Sequence, residues 1–134
     1  MFTLSSRGVY GMTAMLELGL RVGTGPVQIK DIAAAHRIPQ HYLEQILASL
    51  RKAGLVESFR GKQGGYQLAS RPDQIRAIDI LGCLEGGLSV SNTDSPLAFF
   101  FDRLENSIGT SIDVSLDDLI NQYRQQQKNL HYSI

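Results

Sequence analysis

Apolar residues in the first twenty positions recur in steps of three and four, at Val9, Met12, Leu16 and Leu20. That spacing predicts an amphipathic helix, capped by Ser5 or Ser6 and ended before the breaker Gly23-Thr24-Gly25-Pro26. A short second helix is predicted from Ile29 to Ala35. It breaks at Arg37, Ile38 and Pro39, because the residue before a proline avoids helical angles. The third helix runs from Gln40 to Ala53, with Leu43, Ile46, Leu47 and Leu50 as its apolar stripe and Gly54 as its stop. The period then changes. LVESFR and YQLA read as two short strands around the glycine-rich turn GKQGG. A fourth helix is expected near Ile78 to Glu85, halted by Gly86 and Gly87, and the polar loop SVSNTDS follows it. Ser95 and Pro96 should open a fifth helix bearing Leu97, Phe100, Phe101, Leu104 and Ile108. Ser115 and Asp118 fit a capping box for a sixth, with Leu116, Leu119, Ile120 and Tyr123 on one side. The pattern is that of a mainly α chain with a small β-hairpin.

Length and composition narrow this further. The 134 residues suffice for one compact domain with an appended assembly element. Apolar runs fall far short of the ~18 residues a membrane span needs, and MFTLSSRG lacks the apolar stretch of an export signal. A cytoplasmic protein with no membrane partner is expected. The single cysteine, Cys83, leaves no intrachain disulfide and no multi-cysteine zinc or iron–sulfur motif, so no cofactor is expected. Net charge is zero, yet residues 1–80 hold ten Lys/Arg against six Asp/Glu, and residues 81–134 hold three against seven. The first part is therefore suited to a polyanion and the second is not.

Two short helices across a tight break, followed by a hairpin, give the order of a winged helix-turn-helix. The third helix sharpens the reading. Opposite its apolar stripe lie His41, Gln45, Ala48 and Lys52, with Glu44 and Ser49 at the borders. Hydrogen-bonding tips near a helix N-terminus and small residues beside its axis are what reading a DNA major groove requires. In the hairpin turn, Arg60 and Lys62 supply positive charge while Gly61, Gly64 and Gly65 remove side-chain bulk, as a wing entering a narrow groove would need. Ser6 and Arg7 at the start of the first helix, and Arg51 at the end of the third, are candidates for phosphate contacts that set register.

The segments LSSRGVYGMTAMLELGL, IKDIAAAHRIPQHYLEQILASLRKAGLVESFRGKQGGYQLA and AIDILGCLEG resemble the bacterial Rrf2 family of transcription regulators. The resemblance covers residues 1–86 well, and YLEQIL followed by LRKAGLV and RGxxGGYxLA is a specific run; the C-terminal helices match in pattern only. It implies a winged helix-turn-helix DNA-binding domain over 1–86 and dimerisation and signal-input helices over 87–134. A homodimer would then bind a pseudo-palindrome of double-stranded DNA. By the same resemblance His41, Tyr42, Glu44 and Gln45 belong to the recognition helix, which Gln40 and Lys52 join by their place in its span and on its polar face, and Arg60 takes the wing arginine's place. Leu97, Phe100, Phe101, Leu104 and Ile108 would form the seam between subunits. The chain also departs from the family. Several members hold an iron–sulfur cluster through three loop cysteines, whereas here that loop reads LSVSNTDSP, which excludes cluster sensing by this route. Pro39 replaces a serine found in some relatives, and Arg37 stands where such turns often carry glycine, so some strain is expected there.

Plainer readings compete. The basic turn taken alone fits a solvated hairpin tip as well as a wing. Cys83 reads as a small packed hydrophobe before it reads as a redox switch. His36, His41 and His131 lie on separate elements, and nothing in their spacing supports a zinc site. The run AFFF exceeds what one helix face needs, which favours a subunit seam. No catalytic motif is present, and the glycines at 61–65 lack the lysine spacing of a nucleotide loop, so an enzyme is not expected. The main rival is a winged-helix adaptor that binds proteins with little sequence-specific DNA binding. A small-molecule or protein effector is left open, as are the operator sequence and the direction of regulation.

Overall fold

A computed structural model describes residues 3–90 and 94–133; positions 91–93 of the expected polar loop lie outside the described residues. The elements follow the predicted order: α1 (Ser6–Leu20), α2 (Ile29–His36), α3 (Gln40–Lys52), β1 (Val56–Phe59), β2 (Gly65–Leu68), a single 3-10 turn (Pro72–Gln74), α4 (Ala77–Glu85), α5 (Ala98–Ser111) and α6 (Leu116–Ser133).

Local chemistry sets most of the boundaries. Ser5 caps α1 by accepting from the Gly8 N–H at 3.1 Å. The capping box of α6 closes reciprocally: Ser115 Oγ accepts from the Asp118 N–H at 3.0 Å, and Asp118 Oδ2 accepts from the Ser115 N–H at 3.1 Å. Arg37 ends α2 in the left-handed region at φ 55°, the non-glycine residue among those described with positive φ. Without glycine, that conformation costs on the order of 1 kcal/mol. The fifth helix starts later than expected. Ser95 Oγ accepts from the Leu97 N–H at 3.0 Å, and the Ser95 carbonyl accepts from the Ala98 N–H at 3.0 Å. These bonds fold a separate turn, so α5 begins only at Ala98.

β1 and β2 pair antiparallel from Val56 opposite Leu68 to Phe59 opposite Gly65. The chain entering α2 joins them, since Val27 and Tyr66 exchange two backbone hydrogen bonds of 2.8 Å. This approach explains Gly65. Its φ is 139°, and a Cβ there would lie 2.4 Å from the Val27 carbonyl oxygen. Gly65→Ala should therefore cost about 1–3 kcal/mol and lower the melting temperature by about 5–10 °C. Thermal denaturation checks it, and an unchanged Tm would show that the hairpin yields without strain.

The core gathers Met15 and Leu18 from α1, Ile32 from α2, and Leu43, Ile46, Leu47 and Leu50 from α3, together with Val56 and Ile80. The buried side of α1 differs from the expected stripe. Gly8, Gly11, Ala14, Met15, Leu18 and Gly19 face inward, while Val9 is exposed and Met12, Leu16 and Leu20 are half-buried. Small residues let neighbours come close: a Cβ on Gly11 would lie 2.2 Å from Leu84, and one on Gly19 would lie 2.4 Å from Ile120.

The last helix enters this same core through Leu116 and Ile120. Two backbone bonds fix its start: the Ala77 N–H donates to the Val114 carbonyl at 2.9 Å and the Leu116 N–H to the Ile75 carbonyl at 2.8 Å. Arg76 adds an ion pair with Asp113. Packing therefore crosses the expected division at residue 86. α5 is different, because none of its residues is buried.

Candidate nucleic-acid interface

The polar face of α3 follows from its stripe. With Leu43, Ile46, Leu47 and Leu50 buried, Gln40, His41, Glu44, Gln45, Arg51 and Lys52 are exposed and Ala48 and Ser49 are half-exposed. Tyr42 turns the other way. Its ring is half-buried and meets Tyr10 edge to face, with centroids 5.8 Å apart. Its first role is thus to pack α3 on α1. Pro39 supplies no side-chain cap, so the N-terminal turn of α3 meets solvent beside His41.

In the hairpin, Arg60, Gly61, Lys62 and Gln63 are exposed. Gly64 is not. A Cβ on it would lie 2.3 Å from the Phe59 carbonyl oxygen, and its N–H donates to the Gly61 carbonyl at 3.0 Å. Gly64 and Gly65 are therefore required by contacts inside the fold, whether or not a groove lies outside. The tip is steadied by Gln28 Nε2, which donates to the Lys62 carbonyl at 3.2 Å.

Ser6 is exposed at the first position of α1, but Arg7 is drawn inward. Its Nε donates to the Leu84 carbonyl at 3.2 Å, and its Nη2 donates to Ser49 Oγ. It straps the end of α4 to α3, a role its spacing in sequence did not suggest. Beside it Ser5 donates from its N–H and its hydroxyl to Glu85 Oε1, at 3.1 and 2.8 Å. Cys83 completes the contact as a half-buried thiol donating to the Ser49 carbonyl at 3.6 Å. Arg51 Nη1 reaches Ser58 Oγ at only 3.4 Å, a weak hold.

A second polar cluster braces the helix-turn-helix and also went unread in the sequence. Glu17, buried on α1, accepts from Arg21 Nε at 2.5 Å and meets His36 Nε2 at 2.7 Å, one residue before the turn. Burial alone would raise its pKa; the hydrogen bonds and charges of Arg21 and His36 outweigh burial and hold it below the ordinary value. A carboxylate depressed on folding stabilises above its unfolded pKa and loses that contribution as pH falls through the folded value. Glu17→Gln should thus cost about 1–3 kcal/mol at neutral pH. The gap to wild type should close as the pH falls below about 4.5. Urea denaturation across that range checks it, and a gap constant with pH would deny the linkage.

Residues 4–133 match the Rrf2 family, described as an iron-dependent transcriptional regulator. The chain belongs to the Rrf2 family. Among its Rrf2 relatives, CymR of Bacillus subtilis (strain 168), an HTH-type transcriptional regulator, is 50% identical over 86 residues, 64% of this chain. That stretch spans only 62% of CymR's own length. IscR of Klebsiella pneumoniae (strain 342) is 33% identical over 129 residues, 88% of this chain and 79% of that protein. Among solved Rrf2 structures, B. subtilis CymR superposes with a TM-score of 0.84 at 39% identity, covering 91% of this chain and 98% of its own. T. potens IscR gives 0.83 at 39% identity, covering 94% and 91%. The fold is thus the winged helix of these regulators, and the two named relatives are transcriptional regulators, not enzymes.

Among the described residues the iron in the family's description finds no fitting donor set. Residues 88–96 contain no cysteine, and among the described residues no three His, Cys, Asp or Glu side chains group around one point. Cys83 donates to the Ser49 carbonyl on α3 rather than into that loop. Among the described residues no helix is long and apolar enough to cross a membrane.

Proposed function

We propose that the chain is a sequence-specific DNA-binding transcription regulator of the cytoplasm, acting as a homodimer on a pseudo-palindromic operator without an iron–sulfur cluster. The observation that carries the reading is the exposed polar face of α3, with His41, Glu44, Gln45 and Lys52, on a chain whose hairpin also exposes Arg60 and Lys62. In this reading α3 enters a major groove and the 60–66 turn follows an adjacent minor groove. Half-sites then lie about one helical turn, or a small multiple of it, apart. The exposed apolar residues of α5 supply the seam between subunits. The signal that such a regulator receives is an effector of unassigned chemistry.

The test is selection of bound duplexes from a random pool by the purified chain. Enrichment of one palindrome supports the reading; no enrichment alongside a captured protein partner favours the adaptor. On the selected duplex, Arg60→Ala should weaken binding and reduce the slope of log K against log salt by about one. Unchanged slope and affinity would remove the wing from the interface.

A further inference from the structure

A polar cleft of about 520 Å³ opens between the hairpin tip and the entry to α2. Lys62, Gln63 and Gly64 line one wall, and Thr24, Gln28 and Lys30 the other. Three cations border it, Arg21, Lys30 and Lys62, against one carboxylate, Asp31. Arg21 is already neutralised by Glu17. Among the described residues neither lysine ammonium has an ion-pair partner. The cleft thus holds two unpaired cations facing a single acid, an excess of positive charge that an anion would relieve.

We propose that this cleft seats a backbone phosphate of the DNA duplex, with Lys30 as a contact that neither the reading face nor the wing includes. The inference rests on the DNA-binding reading above and adds a site to it. Two features favour a duplex phosphate over a free anion. The cleft is continuous with the hairpin tip, since Lys62 belongs to both. Its walls are also locked in register before any ligand arrives, by the two 2.8 Å bonds between Val27 and Tyr66 and the Gln28 bond to the Lys62 carbonyl. A phosphate held there would fix how far the hairpin slides along the duplex. It carries no base information, so the contact should strengthen every sequence alike.

The test uses the full chain, its selected duplex and an unrelated duplex of equal length. Lys30→Gln should weaken both by a similar factor and lower the salt slope by about 0.9, which amounts to about eightfold at 0.1 M salt relative to 1 M. A scan replacing single phosphates by neutral methylphosphonates should then find one position per half-site that costs the wild type affinity but costs Lys30→Gln nothing. Lys128→Gln, on α6, should leave slope and affinity as they are. The inference is overturned if wild type binds the selected duplex and Lys30→Gln changes neither slope nor affinity. It is equally overturned if inorganic phosphate alone binds at the cleft, is lost in Lys30→Gln, and no methylphosphonate position distinguishes the two proteins. A wild type that binds no duplex at all would instead remove the DNA reading, and this site with it.

Discussion

Phe100→Asp leaves the chain monomeric and lowers its affinity for a two-half-site duplex by about a hundredfold or more, the gain that joining two reading heads provides. The expectation comes from where α5 puts its apolar side chains. Phe99 is 63% exposed, Phe100 45% and Leu97 51%, and no residue of the helix is buried. Phe100 stacks edge to face on Phe101 at 5.6 Å, and the Arg103 guanidinium lies 6.0 Å from its ring centre. Such a cluster of solvent-facing phenyl rings is what the proposed seam between subunits would bury. Because Phe100 contributes little to the core of one subunit, an aspartate there should leave the melting temperature of the isolated chain almost unchanged. Sedimentation gives the assembly state and titration of the selected duplex gives the affinity. A dimer of undiminished affinity would place the seam elsewhere.

Glu44→Ala changes which sequence is preferred more than how tightly DNA is held. Glu44 is exposed on α3, and among the described residues its carboxylate forms no ion pair. A carboxylate at a major-groove edge accepts from a cytosine amino group and repels phosphate, so it contributes discrimination at the expense of raw affinity. Its removal should relax preference at one base pair per half-site by about 5- to 150-fold, corresponding to about 1–3 kcal/mol. Affinity for the best sequence should stay within a few-fold of wild type. Repeating the selection with the variant measures both. An equal loss on every duplex would mean that Glu44 holds the helix in place rather than reading a base.

The elements of the chain were unequally legible. In α3 hydropathy and burial coincide, since Leu43, Ile46, Leu47 and Leu50 face inward and the polar face lies opposite. The hairpin, the capping box at Ser115 and the break after α2 were equally plain, because each is set by residues adjacent in sequence. The inward side of α1 was harder to read. A surface built from Gly8, Gly11, Ala14 and Gly19 is chosen for closeness rather than greasiness, and hydropathy is blind to that. Arg7 to Ser49 spans 42 positions and Glu17 to His36 spans 19, so no local pattern announces either bond. Lys30 was passed over for a similar reason, as the cleft exists only once the α2 entry and the hairpin are brought together.

The short ladder joining residues 75–77 to 114–116 bears on what kind of operator such a dimer tolerates. The chain leaving α5 is held by that ladder, and midway along the helix Glu105 Oε1 accepts from the Val90 N–H at 2.9 Å. In the proposed dimer, a seam on a helix held at its exit and at its middle should swivel little. One extra base pair between half-sites turns the second about 35° around the duplex and moves it about 3.4 Å along it. A seam that swivels little would follow both displacements poorly, so such a dimer should read spacing as well as sequence.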